Sequence, residues 1–302
     1  MASQGRRFEQ DTNPNNMSHD TIKATQSPLC QTNDIKNQTD SDSEHGNYKT
    51  CDDELLFQQP KCTHLGDCPI CCLPLTQGKY SIFFFECCSK KICGGCWVAN
   101  CSSRLSLKKI TKPENEICMF CRTPATDKKD IRWDRLKKRI EVGDPIAMTS
   151  LGNELFDEGD YLGAFVHFSK AAALGYIDAH VSLSRAYSGG AGVKLCEAIM
   201  VHHLEQAAIG GHPHARYRLA MHEEKNGRMD RAAKHCLISA KLGHNDALNT
   251  VKECYRSGIV SKEDFAAALR GHQAAIDATK SDQRTRAEEI CAKIERSESA
   301  ES

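Results

Sequence analysis

The stretch GYIDAHVSLSRAYSGGAG, residues 175–192, decides how the chain is read. Its Gly175 and Ala179 are separated by three residues, and the same Gly-x3-Ala step recurs at Gly143/Ala147, Gly211/Ala215 and Gly243/Ala247, at offsets of 32, 36 and 32 residues. Four positions after each alanine stands an aliphatic residue: Leu151, Leu183, Leu219 and Val251. Eight positions after it stand Leu155, Tyr187 and Tyr255, with Glu223 departing in the third copy. A second glycine then follows (Gly159, Gly192, Gly227, Gly258), and an Ala-rich stretch closes each unit: AFVHFSKAAALG, AIMVHHLEQAAIGG, AAKHCLISAKLG and FAAALRGHQAAIDA. Four-residue steps line up one face of a helix. Small alanines let a second helix approach it, and glycine in the left-handed cap conformation ends that helix. One such hairpin cannot bury its own apolar face, so neighbours must stack. The pattern predicts an α-solenoid of about four helical hairpins over residues 143–279.

Outward from this region the chain changes character. Residues 1–60 are rich in Asn, Gln, Ser, Thr and Asp, and 31–53 have almost nothing to bury, which predicts a disordered tail. Cys30 and Cys51 lie there and read as free thiols. Residues 126–142 predict an amphipathic helical connector, with Ile131, Trp133 or Leu136, and Ile140 on one face. Residues 280–302 begin as a charged helix and end in SESAES, which should fray.

The 302 residues carry 40 Lys plus Arg against 40 Asp plus Glu, so no global basic field exists to hold nucleic acid or a membrane surface. Lysines in LSLKKI, TDKKD and RLKKR make a local basic patch, but interspersed acids favour a solvated surface. No run approaches the ~20 apolar residues of a spanning helix. The first residues lack an apolar signal core, which places the expected compartment inside the cell, cytoplasm or nucleus unresolved. No Ser/His/Asp arrangement, phosphate-binding loop or dinucleotide fingerprint is present.

Seventeen cysteines are the anomaly. In a reducing compartment, clustered cysteines mean metal or redox chemistry. Three Cys-x2-Cys pairs occur in order, Cys68/Cys71, Cys93/Cys96 and Cys118/Cys121, with a Cys87-Cys88 doublet before the middle pair. A two-residue spacer lets both thiolates converge on one ion at ~2.3 Å. The competing readings are buried unliganded thiols or a thioredoxin-like pair, which one CxxC would leave open and three in order disfavour. These cysteines suffice for two tetrahedral Zn2+ ions in closed, structural shells. Such ions contribute on the order of 10 kcal/mol or more to folding a segment too small to fold on its core alone. His202, His203, His212, His214, His222 and His235 crowd the second and third repeats, and polar-groove residues are the preferred reading over a metal patch.

The order of the pairs over residues 68–125 resembles a RING finger. The resemblance implies a cross-brace, with Cys68, Cys71, Cys93 and Cys96 on one zinc and Cys118, Cys121 and the Cys87/Cys88 doublet on the other. Lys90 stands where the family usually has a histidine ligand. Using both doublet cysteines is the preferred solution, while Cys101, Cys62 or His64 could substitute, and Cys72 reads as a spectator. The resemblance implies a ubiquitin ligase that does no covalent chemistry and instead positions a charged ubiquitin-conjugating enzyme. The family's partner surface is matched by Ile70 in the first knuckle and by Met119 and Pro124 around the last, and loosely by Trp97. The family's bridging arginine is matched by Arg122. The helical half resembles the Sel-one-like repeat, a relative of the tetratricopeptide repeat, whose Gly-x-Gly-Val turn is matched at Gly190-Ala191-Gly192-Val193. That resemblance implies a scaffold binding a protein partner. The expectation is therefore a mostly α chain with a RING-like finger over 62–125, acting as a ligase or, alternatively, as a non-catalytic adaptor.

Overall fold

Alanine at the start of each repeat puts only a methyl group between two helices, and the consequence is visible in the computed structural model. Ala147, Ala179, Ala215 and Ala247 are all fully buried. The structure describes residues 53–76, 78, 81–101 and 117–300. Cys30, Cys51 and most of the expected tail lie outside these residues.

Four helical hairpins stack in order. They are α4 (Pro145–Asp157) with α5 (Tyr161–Ala173), α6 (Ile177–Gly189) with α7 (Glu197–Ile209), α8 (Pro213–Lys225) with α9 (Met229–Lys241), and α10 (Asn245–Arg256) with α11 (Lys262–Asp277). Gly175, Gly211 and Gly243 follow the second helices with φ of +78°, +85° and +91°, values that a side chain would strain. The third repeat's Glu223 is buried, and Arg228 and Arg231 pair with its carboxylate. That pairing makes a charge tolerable where the other copies place Leu or Tyr.

Preceding the solenoid, α3 (Lys129–Glu141) buries Leu136 against Ala147 and Leu151, with Trp133, Ile140 and Phe84 around them. Ile131, expected on the same face, is exposed. Asp144 joins α3 to α4. Its Oδ1 accepts from Ile146 N at 3.0 Å and Ala147 N at 3.4 Å, and Arg139 Nη2 donates to Oδ2 at 2.6 Å. Burial opposes ionisation here, but hydrogen bonds, including those from Arg139 and the two amides, hold the carboxyl below its usual range. Asp144→Ala should lower stability by about 1–2 kcal/mol in urea denaturation, through loss of the cap and the charge-assisted bond.

The cysteine-rich segment forms a small hairpin of β1 (Ile82–Phe85) and β2 (Lys90–Cys93), antiparallel with Ile82 opposite Cys93 and Phe85 opposite Lys90, followed by α2 (Gly94–Cys101). Trp97 stacks on Phe83 at 4.8 Å between ring centroids. It lies in a core with Leu75, Phe85, Ile92 and Val98.

Two segments tie this finger to the solenoid. The first begins with α1 (Asp53–Leu56), inside the range expected as disordered tail. Its Leu56-Phe57 gives it something to bury, and Leu56 packs among Leu204, Ala207, Ala208 and Leu219. The chain then runs past the α7–α8 turn, where His64 N donates to Gly211 O at 3.3 Å and the His64 ring stacks on His212 at 4.2 Å. A Cβ on Gly211 would lie 2.7 Å from the Cys62 carbonyl oxygen, so the backbones meet only because that residue is glycine. The second is α12 (Asp282–Ala300), which extends into the SESAES stretch expected to fray and packs on α2. Gly95 permits this approach, since a Cβ there would lie 2.8 Å from Arg284 N. Among the described residues no helix is long and apolar enough to cross a membrane.

Candidate metal centre

Two of the Cys-x2-Cys pairs fold into the same local structure. Cys68 N donates to Leu73 O at 2.9 Å and Cys118 N to Thr123 O at 2.8 Å, closing loops flanked by the bridges Asp67–Pro74 and Ile117–Pro124. Within them Cys72 N donates to Cys68 O at 2.9 Å and Arg122 N to Cys118 O at 3.0 Å. The residue after the second cysteine turns left-handed, with φ +54° at Cys72 and +62° at Arg122. Ser89, after Cys88 in the β1–β2 turn, does the same at φ +54°, and Ser89 N donates to Phe85 O at 2.8 Å. Cys88 thus sits on a third knuckle-like turn, with Phe85 where the other two have their first cysteine. Non-glycine residues rarely adopt this conformation. Its recurrence after three cysteines marks a backbone bent to point sulfur inward.

The sulfurs gather into two tetrads, Cys68, Cys71, Cys93 and Cys96 in one, and Cys87, Cys88, Cys118 and Cys121 in the other. In the first, Cys68 and Cys96 Sγ are 3.9 Å apart and Cys71 and Cys93 Sγ 3.7 Å apart. In the second, Cys88 and Cys118 are 3.6 Å apart and Cys87 and Cys121 3.3 Å apart. These separations are too long for S–S bonds of ~2.05 Å. Three of them lie close to the edge of a tetrahedron with ~2.3 Å metal–sulfur bonds, which is about 3.8 Å, and the Cys87–Cys121 separation is shorter.

Burial and crowding push the Cys88 thiol up to about 11 and push Cys87 and Cys96 upward too, while burial alone raises Cys93 against hydrogen bonds from Cys96 and Arg284. Burial also opposes ionisation of Cys68 and Cys121, but backbone amides at the first and Thr123 at the second bring them to about 7 and about 6. Sulfurs forced together in this way suppress one another's charge, and a dication reverses that balance. Around the first tetrad the donors suit thiolates: Cys93 N to Cys68 Sγ and Cys96 N to Cys93 Sγ, both 3.4 Å, and Arg284 Nη2 to Cys71 Sγ at 3.6 Å. Arg284 also donates to Pro74 O at 2.7 Å and Leu73 O at 3.1 Å, so α12 fixes the first knuckle's backbone. Both tetrads therefore fit a metal ion held by four thiolates, with hydrogen bonds of the kind that orient ligands and tune their basicity.

The other cysteines and histidines that could have served as ligands fall elsewhere. Cys62 and Cys72 are exposed, and the side chain of Cys101 lies outside the described residues. His64 Nε2 is 2.8 Å from Asp178 Oδ1 in the first turn of α6, and belongs to neither tetrad. His212 approaches the same oxygen at 3.9 Å, but its Nδ1 accepts from Ala215 N, which leaves the proton on Nε2 and makes the imidazole a helix cap. Asp178 Oδ2 accepts from Tyr176 OH at 2.7 Å and Lys91 Nζ at 3.3 Å, so this cluster joins β2 to the second repeat. The six repeat histidines do not converge on one point: His203 Nδ1 faces His180 Nδ1 at 3.1 Å, and His235 is buried beneath Phe57.

Ile70 is 45% exposed, and Arg122 is exposed on the last knuckle. Met119 packs on the finger core, whereas Ile117 and Phe120, which no sequence motif marks, are the exposed apolar residues there. Trp97 is buried, not part of a surface groove. Arg284 is likewise missed by sequence reasoning, because nothing in a charged helix 213 residues away signals a sulfur partner.

No protein-family model and no curated protein matches the chain. Among solved structures it is similar to c5321, a protective antigen of uropathogenic Escherichia coli strains displaying an SLR fold, at 27% identity and TM-score 0.41 over 49% of this chain and 33% of that one. It is also similar to a Sel1 repeat protein from Oxalobacter formigenes, at 17% identity and TM-score 0.44 over 57% of this chain and 82% of that one. The chain thus spans about a third of the length of the first of these proteins.

Proposed function

We propose that the chain is a zinc-dependent RING-type ubiquitin ligase in which the finger positions a charged ubiquitin-conjugating enzyme and the helical repeats hold a protein partner or substrate. The observation that carries the reading is the interleaving of the tetrads. The first and middle Cys-x2-Cys pairs share one centre, while the doublet lying between them in sequence shares the other with the last pair. That is the cross-brace order the RING resemblance implies, with Cys87 and Cys88 together filling the place left by Lys90. Closed four-thiolate shells suit structural zinc, which supplies folding free energy and no chemical step. Exposed Ile70 on the first knuckle, with Ile117 and Phe120 on the last, would supply apolar contacts, and the exposed Arg122 a cation for the enzyme–ubiquitin pair. The gain would come from orienting the thioester toward an attacking lysine.

A second reading, a non-catalytic adaptor, is favoured by the packing of α12 against α2 and by the burial of Trp97. Auto-ubiquitination of the full chain across a panel of conjugating enzymes separates the two. The ligase reading expects modified product with at least one enzyme, lost in Arg122→Ala while native mass spectrometry still counts two metal ions per chain. Activity with no enzyme in the panel supports the adaptor.

A further inference from the structure

Arg216, on α8, is fully buried and has no carboxylate partner among the described residues. Its Nη1 donates to the Leu56 carbonyl at 2.6 Å and its Nη2 to the Ala208 carbonyl at 2.8 Å. His235, on α9, is also fully buried, and neither ring nitrogen has a hydrogen-bond partner among the described residues; the Phe57 ring covers it at 4.7 Å. A floor built only for packing would be apolar, because a buried guanidinium and an unpaired imidazole are both costly. This floor instead aims a cation at main-chain carbonyl oxygen, which is how a peptide backbone is recognised whatever its side chains. The rim is equally specific. Arg231 Nη1 donates to both carboxylate oxygens of Asp53, at 3.0 and 2.8 Å. Its guanidinium and the Lys234 ammonium lie 4.9 and 5.5 Å from the centre of the Phe57 ring. Glu223 steadies Arg231 from behind, so the departure in the third repeat serves this rim.

We propose that the groove formed by α7, α8 and α9 is a recognition site for a short acidic–leucine–phenylalanine segment, that residues 53–57 fill it in cis, and that a protein partner carrying a segment of the same chemistry enters by displacing them. The inference rests on the reading that the repeats bind a partner, and it names where and by what chemistry. Three features of the occupant define the motif. Asp53 meets Arg231. Leu56 fills the pocket of Leu204, Ala207, Ala208 and Leu219 while offering its carbonyl to Arg216. Phe57 lies over His235 beneath two cations. Leu55 is exposed and unconstrained by the groove. A tethered segment competes at an effective concentration that can reach millimolar, so a free peptide must meet a largely occupied site.

The test uses the full chain and a fluorescein-labelled peptide of residues 52–59, DDELLFQQ, read by anisotropy. The double variant Leu56→Ala, Phe57→Ala should bind the peptide at least tenfold more tightly than the wild type. Adding Arg231→Glu to the double variant should reverse that gain, and a peptide carrying Asp53→Lys should restore it. The proposal is overturned if wild type and double variant bind equally, or if the double variant keeps its helical circular dichroism yet binds nothing. It is also overturned if the double variant loses its helical signal, which would make residues 53–57 part of the core. Self-association of the wild type that the double variant lacks would assign the groove to a second copy's residues 53–57 and overturn the cis occupant. Ligase activity does not enter this readout, so the two readings fail separately.

Discussion

Stripping metal from the full chain with excess chelator should abolish the near-ultraviolet signature of Trp97 while leaving most of the far-ultraviolet helical signal in place. Trp97 reports the finger core because it is stacked on Phe83 and buried beside Ile92 and Val98. Four of the ten buried residues in that core are cysteines, so removing an ion held by them would remove much of what organises the interior. A bound structural zinc is worth on the order of 10 kcal/mol or more to such a segment, whereas small segments bury too little surface to fold without one. The solenoid's core residues lie in separate clusters that contain none of the eight tetrad cysteines. The measurement is made on Trp133→Phe, since Trp133 is the chain's other tryptophan and packs against α4 through Glu154. Metal release is counted colorimetrically alongside. A finger signal that survives complete metal loss would remove the basis for both tetrads as structural centres and for the ligase reading built on them.

The second large effect lies in the first hairpin. Phe168 on α5 is fully buried, and its ring fills the space over Gly152 of α4, where an added Cβ would come within 2.7 Å of Cε1. Phe168→Ala should cost about 3–5 kcal/mol from lost burial and the residual cavity. For a cooperative unit of this size that amounts to a fall in the thermal midpoint of roughly 6–20 °C. Gly152→Val alone should cost about 1–3 kcal/mol by overpacking. Combined, the two should cost less than their sum, because the valine occupies part of the space the ring vacates. Thermal and urea unfolding of the four proteins closes the cycle, and simple additivity would show that ring and glycine do not share one space.

The repeat half is legible in the sequence because its signal is local and recurrent. Ala147, Ala179, Ala215 and Ala247, the aliphatics four residues on, and the glycines behind them report their environment within a few turns of chain. The cysteine pairs are legible for the same reason, whereas Cys87 and Cys88 as a ligand pair is what the RING resemblance implies, with Cys101, Cys62 and His64 left open by the sequence. What stays hidden depends on residues distant in sequence. Leu55-Leu56-Phe57 ends a polar stretch with too few apolar residues to predict burial, and the pocket of Leu204, Ala207, Ala208 and Leu219 that takes Leu56 lies about 150 residues further on. Glu223 reads as an interruption until Arg228 and Arg231 are seen to pair with it. Trp97 follows a cysteine, a loose match to the family's groove residue, but Phe83 and Phe85 from the hairpin draw it inward. Arg284 lies in a helix whose charges look solvated, and its carbonyl and sulfur acceptors on the first knuckle lie more than two hundred residues upstream.

The contact between Arg284 and the first knuckle has a practical corollary for protein engineering. A cassette cut at the borders of the cysteine-rich segment would leave behind the guanidinium that faces Cys71 and the helix that covers Gly95. Grafting the finger onto another scaffold therefore requires transplanting α12 with it, as a non-contiguous pair of inserts.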